Sequence, residues 1–185
     1  MNGLDIEINI DKEPYIKNIT DDKIINVTGQ SGSGKSTFIN NNYNNENYIL
    51  VDTDEIFKDK RYEKANGINK ELGDHFRNKY EVLPNLHDDF DMIYLEILDY
   101  LKSTNKTIVI DCAQFHEVKD IKILKGTVIV LRTSIDTCFN RCIDRWKKNM
   151  KNYTTEELEE YINKKKGLYT WYKESNNFIH NIDKM

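Results

Sequence analysis

An apolar run, Ile24-Ile25-Asn26-Val27-Thr28, leads straight into Gly29-Gln-Ser-Gly-Ser-Gly34-Lys35-Ser36-Thr37, and no other feature of the chain limits its fold so tightly. The spacing is G-x-x-x-x-G-K-S/T, placed between a strand and a helix, which is the pattern of a phosphate-binding loop. Its glycines let the backbone turn closely around an anion and aim successive N–H groups at the anion's oxygens. A helix beginning at Gly34 or Lys35 adds the positive end of its dipole. In this reading Gly29, Ser31, Gly32, Ser33, Gly34, Lys35, Ser36 and Thr37 surround the phosphates of a nucleotide such as ATP. Lys35 reaches the β- and γ-phosphates, and the Ser36 hydroxyl holds Mg²⁺.

Five segments rich in Ile and Val read as strands: 23–28, 48–52, 107–111, 127–132 and 178–182. Most are continuous apolar runs rather than alternating ones, as expected of strands covered on both faces in a parallel sheet. Helical patterns lie between them, at 35–42, 69–81, 87–104, 134–150 and 154–174. This alternation predicts an α/β fold with helices flanking a five-stranded parallel sheet. The N-terminal piece 1–22, which contains the alternating run Leu4-Asp5-Ile6-Glu7-Ile8-Asn9-Ile10, offers an extra edge strand. With 185 residues, 1–185 are expected to form a single domain. Residues 53–106 leave the carboxyl end of the second strand and are the natural place for a substrate-binding insertion. A short lid is expected at about 141–153.

Net charge is −4, the wrong sign for a protein that coats a long nucleic acid. No apolar run approaches the ~20 residues needed to span a bilayer, and the first residues lack the pattern of a signal peptide, so a cytoplasmic protein without membrane partners is expected. Cys112, Cys138 and Cys142 do not make a disulfide framework and read as buried small side chains. None of His75, His87, His116 and His180 has ligand spacing to another.

Several charged residues stand where strands end. Val51 is followed by Asp52-Thr53-Asp54-Glu55. Asp52 or Asp54 can hold Mg²⁺ or accept the proton of an attacking hydroxyl, and either can instead cap the helix that follows. The third strand ends in Asp111, the position of a carboxylate that orients Mg²⁺ opposite Ser36, with Gln114 on the next turn as a candidate substrate contact. The fourth strand ends in Leu131-Arg132 and leads into a helix carrying Arg141 and Arg145. Arginines four apart share a helix face and can clamp phosphates, or can form a solvated face paired with Asp136 or Asp144. Within the insertion Arg77 is the candidate to grip an anionic substrate group, with Arg61 and Lys64 behind it.

Together these features resemble the small P-loop kinases of the adenylate, shikimate and gluconate kinase group. The match rests on Gly29 to Ser36, Asp52-Thr53-Asp54, Asp111, and Leu131-Arg132 before the arginine-bearing helix, and it spans 23–145. Val51-Asp52-Thr53-Asp54 is similar to shikimate kinase, where the first Asp serves the Mg²⁺ site and the second holds the acceptor hydroxyl. Phe76-Arg77 resembles the pair that grips the carboxylate there. The glycine triplet that follows the third strand of shikimate kinases is replaced by Asp111-Cys112-Ala113-Gln114, which is closer to the polynucleotide-kinase branch.

The resemblance implies strand order 2-3-1-4-5. It also implies Mg²⁺-dependent transfer of the ATP γ-phosphate to a small acceptor such as a nucleoside, a nucleotide or a shikimate-like metabolite. Lys35, Asp52, Asp54, Arg141 and Arg145 are then the catalytic set, with Arg132 beside the nucleotide. The alternatives are a kinase of polynucleotide 5′-hydroxyl ends and a nucleotide-binding regulator without kinase activity.

Overall fold

The computed structural model describes residues 10–149 and 154–185. Strands β1 (Lys12–Asn18) and β2 (Ile24–Thr28) come first, followed by helix α1 (Lys35–Tyr43) and strand β3 (Tyr48–Asp52). Four helices follow: α2 (Thr53–Phe57), α3 (Asp59–Tyr62), α4 (Gly67–Lys79) and α5 (Phe90–Tyr100). Strand β4 (Thr107–Asp111) precedes two single 3₁₀ turns, Phe115–Glu117 and Ile121–Ile123. Strand β5 (Thr127–Arg132) and helices α6 (Ile135–Asn149) and α7 (Thr155–Asp183) complete the chain.

The sheet has five strands in the order β1-β5-β2-β4-β3. Read from the β3 edge in the expected numbering this is 2-3-1-4, so four strands take their expected places, but the full order 2-3-1-4-5 of five parallel strands does not hold. Segments 23–28, 48–52, 107–111 and 127–132 form strands, but the fifth place belongs to β1 and not to 178–182. β2 and β3 each pair parallel with β4. At the other edge Asn18 Nδ2 donates to Thr127 Oγ1, and Arg132 Nε donates to the Glu13 carbonyl. Low numbers on β1 thus face high numbers on β5, so β1 runs antiparallel to it.

Residues 178–182 belong to α7. Leu168, Tyr172, Ser175, Phe178 and Ile182 are all buried, and their steps of three and four draw one stripe along a helix. A short apolar run looks like a strand when taken alone, and the longer period decides the matter. The capping box of Thr154 and Glu157 fixes where this helix starts. The extra N-terminal edge strand expected within residues 1–22 is found as β1 at the sheet edge, while the alternating run 4–10 lies almost wholly outside the described residues, as does the 150–153 part of the expected lid; 141–149 continue α6.

Backbone packing resolves two compact units, each assembled from separate stretches of chain. One holds residues up to 15, 29–35 and 130–185; the other holds 16–28 and 36–129. In the first, Ile135, Cys138, Leu168 and Tyr172 bury the contact of α6 with α7, flanked by Phe139 and Tyr169. There too Tyr15 donates to the Asp183 carboxylate at 2.6 Å, joining β1 to the end of α7. In the second, Val27, Val51, Ile108, Val109 and Ile110 from the strands are buried, as are Ile56, Leu72, Phe76, Ile93, Tyr94, Ile97 and Phe115. Among the described residues no helix is long and apolar enough to cross a membrane.

Candidate functional site

The first group of candidate residues gathers on the glycine loop within the first unit. β2 delivers the chain to Gly29, the Ser33 N–H closes a turn on the Gln30 carbonyl, and α1 begins at Lys35. Gly32 and Gly34 have φ of +80° and +88°, values that side-chain-bearing residues rarely adopt. A Cβ on Gly32 would also lie 2.5 Å from the Cys138 carbonyl, so this position is closed to every other residue twice over. Alternation of left- and right-handed backbone of this kind turns N–H groups inward to form an anion-binding nest. The first-turn N–H groups of α1 add donors that have no intrahelical partner.

Helix α6 holds the loop from one side. Arg141 donates to the Gly32 carbonyl at 2.9 Å, Thr133 Oγ1 to the Ser33 carbonyl at 2.7 Å, and Gln30 Nε2 to Cys138 Sγ at 3.3 Å. Ser134 caps α6 by accepting from the Thr137 N–H, and Asp11 accepts from the Ser134 N–H. Neither Thr133 nor Gln30 stands out in the sequence; a threonine just past the end of a strand is the one sign of the former. Arg141 therefore stands at the loop. Arg145, one turn on, is exposed and approaches Cys142 Sγ at 3.5 Å. The Nε–H of Arg132 is engaged by Glu13 of β1, which ties the sheet edge.

Burial pushes the Cys138 thiol up to about 11, against the smaller opposing effect of the Gln30 hydrogen bond. At pH 8 only about one thiol in a thousand is then ionised, so Cys138 should resist iodoacetamide in the folded chain and react once urea unfolds it. Mass spectrometry of the alkylated protein checks this; rapid labelling of the native chain would contradict it.

The second group lies at the carboxyl ends of β3 and β4 in the other unit. Asp52 and Asp111 are register partners, and in-register residues of parallel strands about 4.8 Å apart point to the same face. Asp52 is the N-cap of α2, with Oδ1 accepting from the Asp54 N–H at 2.9 Å and the Glu55 N–H at 3.4 Å. Its Oδ2 takes a guanidinium N–H of Arg61 at 3.2 Å. Asn69 braces the same turn, accepting from the Asp52 N–H and donating to Glu55. Thr53 Oγ1 donates to the Asp111 carbonyl at 3.1 Å. By contrast, the Asp54 carboxylate pairs among the described residues with Lys58 at 3.4 Å, which is largely exposed. Ser36 is exposed in the first turn of α1.

Arg77 is a brace in this structure. Its Nη1 donates to the Ile56 carbonyl at 2.7 Å and the Gly73 carbonyl at 3.2 Å, and its Nη2 to Asp59 at 3.2 Å. The guanidinium also lies 3.5 Å from the centre of the Tyr62 ring. Replacing Arg77 with alanine should therefore cost about 1–3 kcal/mol of stability, through lost bonds to buried carbonyls. A urea melt measures this, and an unchanged midpoint would contradict it. Gln114 precedes the Phe115–Glu117 turn, its N–H donating to Cys112 Sγ and its Oε1 accepting from that thiol.

No model of a known protein family matches the chain, and no curated protein is significantly similar to it.

Proposed function

We propose that the chain is a Mg²⁺-dependent phosphotransferase that moves the γ-phosphate of ATP to a hydroxyl of a small acceptor, within the P-loop kinase group. The observation that carries this reading is the loop itself. Two glycines hold left-handed backbone, and a helix opens at Lys35 immediately beyond them. The backbone N–H groups of the loop and the first turn of α1, apart from that of Ser33, would take the phosphates, and Lys35 would place its ammonium at the transferring group. Ser36, Asp52 and Asp111 supply the oxygen donors that a small hard cation prefers, so they fit Mg²⁺. When bound, the cation neutralises phosphate charge that grows as the bond to the leaving oxygen breaks.

Asp54 is assigned as the base that accepts the acceptor's hydroxyl proton. Asp52 already accepts two backbone N–H groups and a guanidinium N–H, so its oxygens are engaged in capping α2 and holding Arg61. Arg141 stabilises the migrating group from its place on the loop, and Arg145 follows one turn along the same face. Chemistry of this kind is mostly positioning and charge stabilisation, so few other groups are needed.

A second reading, with a polynucleotide 5′-hydroxyl end as acceptor, draws on the exposed Arg141, Arg145 and Lys148 at i, i+4 and i+7 of α6. This cationic stripe could follow successive phosphates. The experiment is acceptor-stimulated ADP release from Mg·ATP with nucleosides, nucleoside monophosphates, shikimate, sugar acids and 5′-hydroxyl oligonucleotides. Stimulation by one class names the acceptor. ATP binding with no stimulation by any class turns the assignment toward a nucleotide-binding regulator.

A further inference from the structure

Two consecutive carbonyls of the glycine loop are held from outside, and only one of the two holds leaves a donor free. A trans peptide is planar, with its C=O and N–H pointing in opposite directions, and none among the described residues is cis. Arg141 takes the Gly32 carbonyl, but the N–H of that same peptide belongs to Ser33 and is spent on the Gln30 carbonyl at 3.0 Å. The next peptide differs. Thr133 Oγ1 donates to the Ser33 carbonyl at 2.7 Å, and the N–H on the opposite edge, that of Gly34, donates to no group among the described residues. From this geometry we propose that Thr133 is a positioning residue of the nucleotide site: by fixing the Ser33–Gly34 peptide, its hydroxyl aims the Gly34 N–H into the nest, at a phosphate oxygen.

The peptide needs such a hold because its far side is a glycine. Gly34 stands at φ +88° and, without a Cβ, reaches either sign of φ at little cost, so the residue alone does not fix where its N–H points. Thr133 is well placed to do so. β5 ends one residue earlier, and the next residue is anchored at three points: the Ser134 N–H donates to Asp11 at 2.6 Å, its hydroxyl to Thr137 Oγ1 at 2.8 Å, and its carbonyl accepts from the Cys138 N–H at 3.0 Å. The Thr133 hydroxyl therefore stands on a fixed turn, as a group that positions another must. Ser33 cannot substitute with its own side chain, which is buried against Gly29; a Cβ on that glycine would lie 2.4 Å from Ser33 Oγ. A donor aimed before the anion arrives binds it without a further ordering cost, and an N–H to a charged oxygen is among the stronger hydrogen bonds.

Such a role for Thr133 rests on the reading of the loop as a nucleotide site, and the experiment separates the two. Mg·ATP is titrated calorimetrically into the parent chain, Thr133→Val and Thr133→Ser. Valine keeps the branched shape and lacks the hydroxyl; serine keeps the hydroxyl and loses a methyl. Thr133→Val should weaken Mg·ATP binding by about tenfold or more with circular dichroism unchanged, while Thr133→Ser binds within about threefold of the parent. If Thr133→Val misfolds, Thr133→Ala against Thr133→Ser makes the same comparison. Parent-like binding by the hydroxyl-free variant, or equal loss in both variants, would overturn the role of Thr133 and leave the loop reading standing. A parent chain that does not bind Mg·ATP would overturn the loop reading and this role with it.

Discussion

Replacing Lys35 with alanine should lower phosphoryl transfer by on the order of 10²–10³ in kcat while the chain keeps its fold. The ammonium is a charge aimed at the phosphates, so its loss removes stabilisation at the moment negative charge shifts between oxygens. Alanine is the best helix former, and Lys35 is the first residue of α1 and only half buried, so local structure should tolerate the change. Arginine should not restore the rate, because its planar fork places charge differently from a compact ammonium. The measurement is ADP release with the best acceptor, alongside a thermal melt. Undiminished turnover in the alanine variant would remove Lys35 from the machinery and the phosphotransferase assignment with it.

The second large effect is expected at Asp54. Asn at this position keeps the shape and removes the base, so kcat should fall by roughly 10²–10⁴ with little change in the KM for nucleotide. Its ion pair with Lys58 is exposed and adds little stability, so the melting temperature should barely move. Asp52→Ala should behave differently. It deletes an N-cap worth about 1 kcal/mol and leaves Arg61 without one of its carboxylate partners, so stability and activity should fall together. The discriminating readout is kcat against melting temperature in the two variants, with Asp54→Asn losing kcat at an unchanged melting temperature. An undiminished kcat in Asp54→Asn would transfer the role of base to another group.

Much of this arrangement was legible in the sequence because it depends on local rules. A buried strand writes itself as a largely apolar run, and β2, β4 and β5 do so; a glycine loop between strand and helix needs its residues in fixed order. Where interactions join distant stretches, the sequence was silent. Whether Arg77 faces a ligand or a carbonyl depends on where Ile56 falls, and no spacing within α4 encodes that. Arg132 looks like a phosphate ligand until β1 arrives beside β5 and takes its N–H. Phe178 to Ile182 carries β-prone residues, and only its phase with Leu168 and Tyr172, one or more turns earlier, reveals the helix. In the sequence Asp52 fits both a catalytic carboxylate and a helix cap, and the hydrogen bonds from the N–H groups of Asp54 and Glu55 show it capping α2.

The antiparallel seating of β1 against β5 has a consequence for how the chain is made. A ribosome releases Lys12–Asn18 long before Thr127–Arg132, and Asp183, which anchors Tyr15, later still. At about 5–20 residues per second, β1 waits roughly 6–20 s for its neighbour strand. Its first residues are therefore among the last to find their place, and until then the nascent chain carries an open edge that chaperones or premature partners can reach.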